Sequence, residues 1–164
     1  IPNSVTNIGY GAFSCCYSLI EIDIPNSVKV LSGWAFNNCH TLFTLKLPDS
    51  ITKIDEWTFE ACRNLTTVTI PNSVVLISKY AFKDCTGMKT LVLGTSVNEI
   101  GFNAFANCTS LQEIVSLNPT PPIITSDAFK DVPVETCVLK VPEGSVDAYK
   151  SSDDWKIFSN IVAN

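Results

Sequence analysis

Cysteine is the residue type whose spacing in this sequence most invites a chemical interpretation. Five of the seven cysteines recur every 23 residues, at Cys16, Cys39, Cys62, Cys85 and Cys108. A zinc site needs four ligands that converge on one point, whereas evenly repeated thiols are expected along an axis. The pattern therefore favours buried, free thiols that pack as small apolar side chains, and we expect no metal and no cofactor. Cys15 and Cys137 lie outside the column, and a disulfide involving them stays an alternative.

The other reactive groups form no recognisable catalytic set. His40 is the only histidine, and no serine, cysteine or carboxylate is placed to accompany it in a nucleophilic triad. The carboxylates occupy different positions of the repeat, which favours a solvated surface over a glycosidase pair. Gly9-Tyr10-Gly11 lacks the third glycine and the preceding strand of a dinucleotide loop. The sequence therefore predicts a protein that is not an enzyme.

Composition narrows the classes of partner. The chain has 164 residues, of which 46% are hydrophobic and 16% charged, so it is expected to fold around a core. Sixteen acidic residues against eleven basic ones give a net charge of −5, which disfavours binding to a nucleic acid backbone. No apolar run reaches the roughly 18 to 20 residues that span a bilayer, so we expect no membrane-spanning segment in this sequence.

The interval of 23 residues governs the whole sequence. Proline, phenylalanine and serine also repeat with this period; the serines are Ser4, Ser27, Ser50, Ser73 and Ser96. In each unit apolar residues alternate with polar ones, as Ile22 and Ile24 do around Asp23, which predicts a short strand with one buried face. The later apolar residues, from Leu31 to Leu42, have the spacing of a turn or two of helix. Because one unit cannot bury these residues alone, the units must stack with their strands in parallel.

The aligned unit reads Leu-x-x-Leu-x-Leu-Pro-x-Ser-Val-x-x-Ile, followed by Ala-Phe-x-x-Cys-x-x-Leu. It resembles leucine-rich repeats of the BspA-like class, known from bacterial and some protozoan surface proteins. The resemblance implies an α/β leucine-rich-repeat solenoid with short helical or irregular return segments. It also implies a non-catalytic adhesion module, secreted or at the cell surface, with host matrix proteins such as fibronectin or fibrinogen as partners. Serine stands where other leucine-rich repeats often have asparagine or cysteine. We expect the serine hydroxyls to bridge adjacent coils, giving with the thiols a structural ladder: Ser27, Ser50, Ser73, Ser96, Cys39, Cys62, Cys85 and Cys108.

Three regions are predicted along the chain. Residues 1–117 hold five repeats, the first of them truncated, and residues 118–142 form an irregular sixth repeat that contains Pro119, Pro121 and Pro122. Residues 143–164 are expected to cover the open end of the core, with a short helix that begins after Ser145. This tail resembles the closing segments of surface leucine-rich-repeat proteins from Bacteroides-type gut bacteria. Because the sequence begins inside a unit, we expect it to be the C-terminal part of a longer protein.

Two surfaces are candidates for binding. The exposed strand positions form a mostly uncharged face suited to a protein partner, with Phe43 in a neighbouring column. They include Lys46, Thr67 and Thr69. The second surface is a column of large aromatic residues at the position just before the Ala-Phe pair of the repeat. It holds Trp34, Trp57 and Tyr80 on three consecutive coils. These rings either shield the core by stacking on each other or bind a protein or a sugar chain. An architectural spacer without any ligand is the third hypothesis.

Overall fold

Each unit makes one turn around the axis of a parallel β-solenoid, which a computed structural model describes for residues 1–164. The elements follow in chain order: β1 (Asn7–Ile8), β2 (Glu21–Asp23), β3 (Val30–Leu31), β4 (Thr44–Lys46), β5 (Lys53–Ile54), β6 (Thr67–Thr69), β7 (Leu76–Ile77), β8 (Thr90–Leu93), β9 (Glu99–Ile100), β10 (Glu113–Ser116), β11 (Ile123–Ile124), β12 (Val138–Val141), α1 (Val146–Ser151) and β13 (Asn160–Ala163).

The strands predicted from the alternating pattern form one side of the solenoid. These long strands are β2, β4, β6, β8, β10, β12 and β13. Successive long strands other than β4 and β6 pair in parallel about one repeat apart, as Thr67 does with Thr90. Val68 is buried between the exposed side chains of Thr67 and Thr69. The prediction of one half-buried strand in each unit is confirmed.

A second, unpredicted ladder runs along the solenoid. Its short strands, β1, β3, β5, β7, β9 and β11, have two residues each and also pair in parallel. In each of the first five, one residue is buried and the other is at least partly exposed. Two residues are too few to show a period of two in the sequence, so this ladder left no signal.

The return path consists of turns, so the irregular return segments of the predicted fold are confirmed, whereas the helical turn expected from Leu31 to Leu42 does not form. Trp34 and Asn38 have φ values of 61° and 59°, in the left-handed region that a right-handed helix does not use. The amides of both residues donate to the next coil. Trp34 donates to the carbonyl of Glu56 at 3.0 Å and Asn38 to that of Glu60 at 2.8 Å. Hydrogen bonds to the next coil therefore alternate with local bonds that close turns, such as that from the Asn37 amide to the Trp34 carbonyl at 3.0 Å.

The core is built from columns of identical residues. Stacked phenylalanine rings follow the axis, with centroids 5.3 Å apart for Phe36 and Phe59 and 5.2 Å apart for Phe59 and Phe82. The column thiols are unbridged, and all but the half-buried Cys16 are buried. Each of these four buried thiols donates to a phenylalanine carbonyl of the preceding coil, as Cys62 does to Phe36 at 3.3 Å. Burial raises the pKa of the Cys39 thiol to about 11 and holds the pKa values of the deeper column thiols still higher.

The serine column does not form a continuous ladder. Ser50 donates to the carbonyl of Val28 in the preceding coil, but the buried hydroxyls of Ser27 and Ser73 have no hydrogen-bond partner, and no bond of this kind forms at Ser96. The preceding residue in the unit makes the bridge at two other places. Asn26 and Asn72 accept from the backbone amides of Asp49 and Thr95, at 2.9 and 3.0 Å. A longer amide side chain reaches the next coil where the short serine hydroxyl does not.

The C-terminal segment continues the sheet and seals its interior. Strand β13 pairs with β12, and the helix α1 begins after Ser145 as expected, although the Ser145 hydroxyl makes no capping bond. The buried Tyr149 hydroxyl lies 2.7 Å from Ser116 Oγ and donates to the carbonyl of Asn118 at 2.8 Å. The buried Trp155 indole donates to the carbonyl of Pro122 at 2.7 Å. The structure has no helix that could span a bilayer, since α1 has only six residues.

The burial of the thiols predicts a strongly uneven reactivity. Cys15 is exposed, and hydrogen bonds from Tyr17 and Ser14 lower the pKa of its thiol. With a thiol reagent at pH 8, we expect Cys15 to react at least about 100-fold faster than Cys62, Cys85 and Cys108, because only an accessible thiolate attacks. Peptide mapping of the labelled protein checks this order. Similar rates for all of them would contradict the buried column, and clearly fewer than seven free thiols in the denatured, unreduced protein would show a disulfide.

Candidate functional site

The exposed side of the long strands, called the strand face here, presents two rows of side chains across the coils. Its middle is uncharged, while ion pairs lie towards its ends. Lys46 Nζ lies 4.0 Å from Asp23 Oδ1, and Lys140 Nζ lies 2.7 Å from Glu113 Oε2. The Lys46–Asp23 pair is exposed and contributes little to stability, whereas the Lys140–Glu113 pair is half-buried. The rows are Glu21, Thr44, Thr67, Thr90, Glu113, Val138 and Asp23, Lys46, Thr69, Val92, Val115, Lys140.

An apolar pair borders the strand face at its N-terminal end. Ile20 and Phe43 occupy the same position of consecutive coils, and 64% and 53% of their surfaces are exposed. The Phe43 amide donates to the Ile20 carbonyl at 2.7 Å, which fixes the two residues side by side. Sequence reasoning singled out Phe43 but missed Ile20, whose position one repeat earlier was the available signal.

The aromatic column forms a longer stack than the sequence predicts. Ring centroids are 5.2 Å apart for Trp34 and Trp57, and 3.9 Å apart for Trp57 and Tyr80. Tyr10 extends the stack at one end, with its ring 6.3 Å from that of Trp34. Phe102 meets Tyr80 edge-on at the other end, at 5.5 Å. We call these five residues the aromatic strip.

The aromatic strip lies in the turns, away from the long strands, and its members Trp34, Trp57 and Tyr80 are half-buried. All three have φ near 61°, a conformation that costs a bulky side chain roughly 1–2 kcal/mol. Stacking offsets part of that cost. Sugars bind to the open face of an aromatic ring, but here neighbouring rings cover the faces along the stack. This geometry favours packing between coils.

Charged side chains join the coils beside the aromatic strip. Lys79 Nζ lies 3.3 Å from Glu56 Oε1, and Lys83 Nζ lies 3.6 Å from Glu60 Oε1. Asn37 also donates to Glu60, at 2.7 Å.

Asp84 belongs to the same network of charged groups. Burial alone would raise its pKa, but hydrogen bonds from Asn107 and Lys83 outweigh burial and lower it. The ionised carboxylate therefore helps to hold neighbouring coils together, and its contribution is lost when the pH falls through this lowered pKa.

The structure separates the residues that sequence reasoning proposed for binding. Lys46, Thr67 and Thr69 lie on the strand face, on the neighbouring strands β4 and β6. His40 lies in a turn, with its ring 5.3 Å from that of Tyr17 and its Nε2 3.1 Å from Asn38 Oδ1. The strand face and the aromatic strip are therefore two distinct candidate surfaces.

The repeat has clear counterparts in known proteins. Residues 1–112 match the BspA type leucine rich repeat region in six copies. No curated protein sequence matches the chain closely enough to indicate kinship.

Three solved structures have the same fold. A leucine rich cell surface protein from Faecalibacterium prausnitzii has 34% identity and a TM-score of 0.69 over 71% of this chain and 31% of that protein. A leucine-rich repeat protein from Bacteroides ovatus has 26% identity and a TM-score of 0.59 over 84% of this chain and 43% of its own. The T. pallidum leucine rich repeat protein has 26% identity and a TM-score of 0.66, covering 93% of this chain and 74% of its own. The chain thus spans less than half of the first two proteins.

The ring stacking predicts that Trp57 matters for stability. We expect Trp57→Ala to lower the free energy of unfolding by about 2–4 kcal/mol, because the substitution removes buried ring area and the contacts with Trp34 and Tyr80. Phe43→Ala is the control, since Phe43 is 53% exposed and should cost less than about 1 kcal/mol. Urea unfolding followed by circular dichroism measures both. Equal, small losses would show that the strip does not stabilise the coils.

Proposed function

Because the chain belongs to the BspA-type leucine-rich repeat family, we propose that it is a non-catalytic protein-interaction module that uses its strand face for adhesion. The observation that carries this proposal is the uncharged middle of the face, where exposed threonine and half-buried threonine and valine side chains lie in regular rows. A cell-surface or secreted location is part of the proposal. It is supported by the likeness to the Faecalibacterium protein, which is described as a leucine rich cell surface protein.

The chemistry of the strand face suits contact with another protein. Thr67 and Thr69 are exposed and make no side-chain hydrogen bonds that a partner would have to break. Threonine offers a methyl group for packing and a hydroxyl that both donates and accepts. Lys46 adds one charge beside this neutral area, and its pairing with Asp23 at 4.0 Å is loose enough to be exchanged for a partner's carboxylate. We assign Lys46, Thr67 and Thr69 to the binding surface.

The kind of partner that we propose is an extracellular matrix protein, with fibronectin and fibrinogen as the first probes. These names come from the resemblance of the repeat to its family. Two alternatives remain. In the first, Trp34, Trp57 and Tyr80 bind a glycan, and in the second the chain is a spacer with no ligand. The same experiment distinguishes both from the proposal.

Biolayer interferometry of the purified chain against immobilised fibronectin, fibrinogen and a mucin glycan mixture tests this proposal. The triple variant Lys46→Glu, Thr67→Glu, Thr69→Glu should weaken binding to the matrix protein at least about 10-fold. Three carboxylates would have to lose their water in the contact, and the one at position 46 would repel the partner's carboxylate that Lys46 is proposed to bind. The control is Arg63→Glu, Thr86→Glu, Thr109→Glu, which makes the same chemical changes in one turn column and should leave affinity unchanged.

The outcomes separate the three hypotheses. Saturable binding that the strand-face variant removes and the turn variant keeps would support the proposal. Binding to the mucin glycans that is lost in Trp34→Ala plus Trp57→Ala, but kept in the strand-face variant, would contradict it in favour of the aromatic strip. Absence of binding to all three probes would contradict these partners and favour the spacer.

A further inference from the structure

The sheet of long strands is interrupted at one place, between β4 and β6. Strand β4 pairs with β2 and β6 pairs with β8, but no ladder joins β4 to β6. From β6 onwards the pairing is continuous to β13. The interruption therefore lies inside the strand face, between Lys46 and Thr67.

The missing hydrogen bonds belong to identifiable amides. In a parallel sheet, alternate residues of a strand bond to its two neighbours. Across the intact junction of β6 and β8, the Thr90 amide donates to the Thr66 carbonyl at 3.2 Å and the Ile70 amide donates to the Val92 carbonyl at 2.8 Å. The equivalent amides at the interruption make no bond across it: Leu45, Leu47, Thr67 and Thr69.

Side-chain packing is looser on the N-terminal side of the interruption. Ile22 and Leu45 point into the core from β2 and β4 but are only half-buried, whereas Val68 and Leu91 at the same position of the next two coils are 1% and 0% exposed. One junction further on, Gly94 replaces the proline of the repeat. A Cβ atom there would lie 2.4 Å from the carbonyl oxygen of Pro71, so those two coils approach more closely than a side chain would allow.

The same two coils are firmly joined on the turn side. The Phe59 amide donates to the Ala81 carbonyl and the Ala61 amide to the Lys83 carbonyl, both at 2.8 Å. The Trp57–Tyr80 contact, at 3.9 Å, is the closest ring pair of the aromatic strip. The ion pairs of Lys79 with Glu56 and of Lys83 with Glu60 also cross this junction.

The short strands show the complementary arrangement. Strand β5 pairs with β7, but no ladder joins β3 to β5. The coil of residues 44–66 is therefore bound to the preceding coil through its long strand and to the following coil through its short strand. It is bound to both of them through its turn, where Trp34 donates to Glu56 and Phe59 to Ala81.

We propose that the coil of residues 44–66 is a hinge of the solenoid, at which the strand face opens and closes while the turns stay joined. Opening separates Lys46 from Thr67, so it changes the shape of the surface that a partner meets. This consequence for binding rests on the proposed function, but the flexing itself does not.

Residue-resolved amide hydrogen exchange on the unbound chain, measured by NMR and corrected for intrinsic rates, tests the hinge. Hydrogen-bonded amides in stable sheet are protected, and amides without such bonds are not. We expect Leu45, Leu47, Thr67 and Thr69 to exchange at least about 10-fold faster than their alternating neighbours on the same strands, Thr44, Lys46, Val68 and Ile70. The matched control is the pair β8 and β10, where no such alternation should occur.

Each outcome decides the inference. Rapid exchange at the four amides, with the turn amides of Phe59 and Ala61 protected, would support a hinge that is closed at the turns. Protection of all eight strand amides to the level of β8 and β10 would overturn it, as would equal loss of protection at the turn amides. Because no partner is present in this measurement, failure of the proposed function would leave its result unchanged.

Discussion

Hydrogen bonds between the turns of successive coils are the constraint on which the rest of the solenoid depends. In most coils three turn amides donate to carbonyls of the next coil, as Trp34, Phe36 and Asn38 do to Glu56, Thr58 and Glu60. The first and third of these residues have positive φ, and the amide of the second donates to the next coil without it. The two ladders of strands are interrupted, but the turn bonds continue across both interruptions. The turns therefore fix the register in which every column of side chains stacks.

The columns follow from this register. Once the coils are one repeat apart, each phenylalanine meets the next phenylalanine, each buried column thiol meets a carbonyl of the preceding coil, and the aromatic strip stacks. These residues serve the attachment of one coil to the next, and changing them should affect stability first. The outward-facing residues of the long strands are not needed to join the coils. A binding surface is therefore more plausible on the strand face than in the columns.

The sequence predicts the solenoid and its long strands because both leave periodic signals. The period of 23 residues is visible in proline, phenylalanine and cysteine together, and the alternation around residues such as Val68 marks a strand. The return path was predicted as helical because apolar spacings of three and four suit a helix and a tight turn equally. Left-handed conformation is favoured by the residue type at some of these positions, such as Asn38 and Asp84, but not at Trp34 or Ala61, so the residue types mark it only in part. The interruption of the sheet and the extension of the aromatic strip depend on packing in three dimensions, which no spacing encodes.

The free energies of unfolding of Ala61→Gly and Ala81→Gly test the central role of the left-handed turns most directly. Both alanines are buried in the turns, but only Ala61 has a positive φ, of 56°. Glycine adopts that conformation without the strain of roughly 1–2 kcal/mol that an L-residue carries there. We predict that Ala61→Gly is less destabilising than Ala81→Gly by about 1 kcal/mol or more. Equal destabilisation by the two substitutions would contradict the left-handed turn as the element that joins the coils.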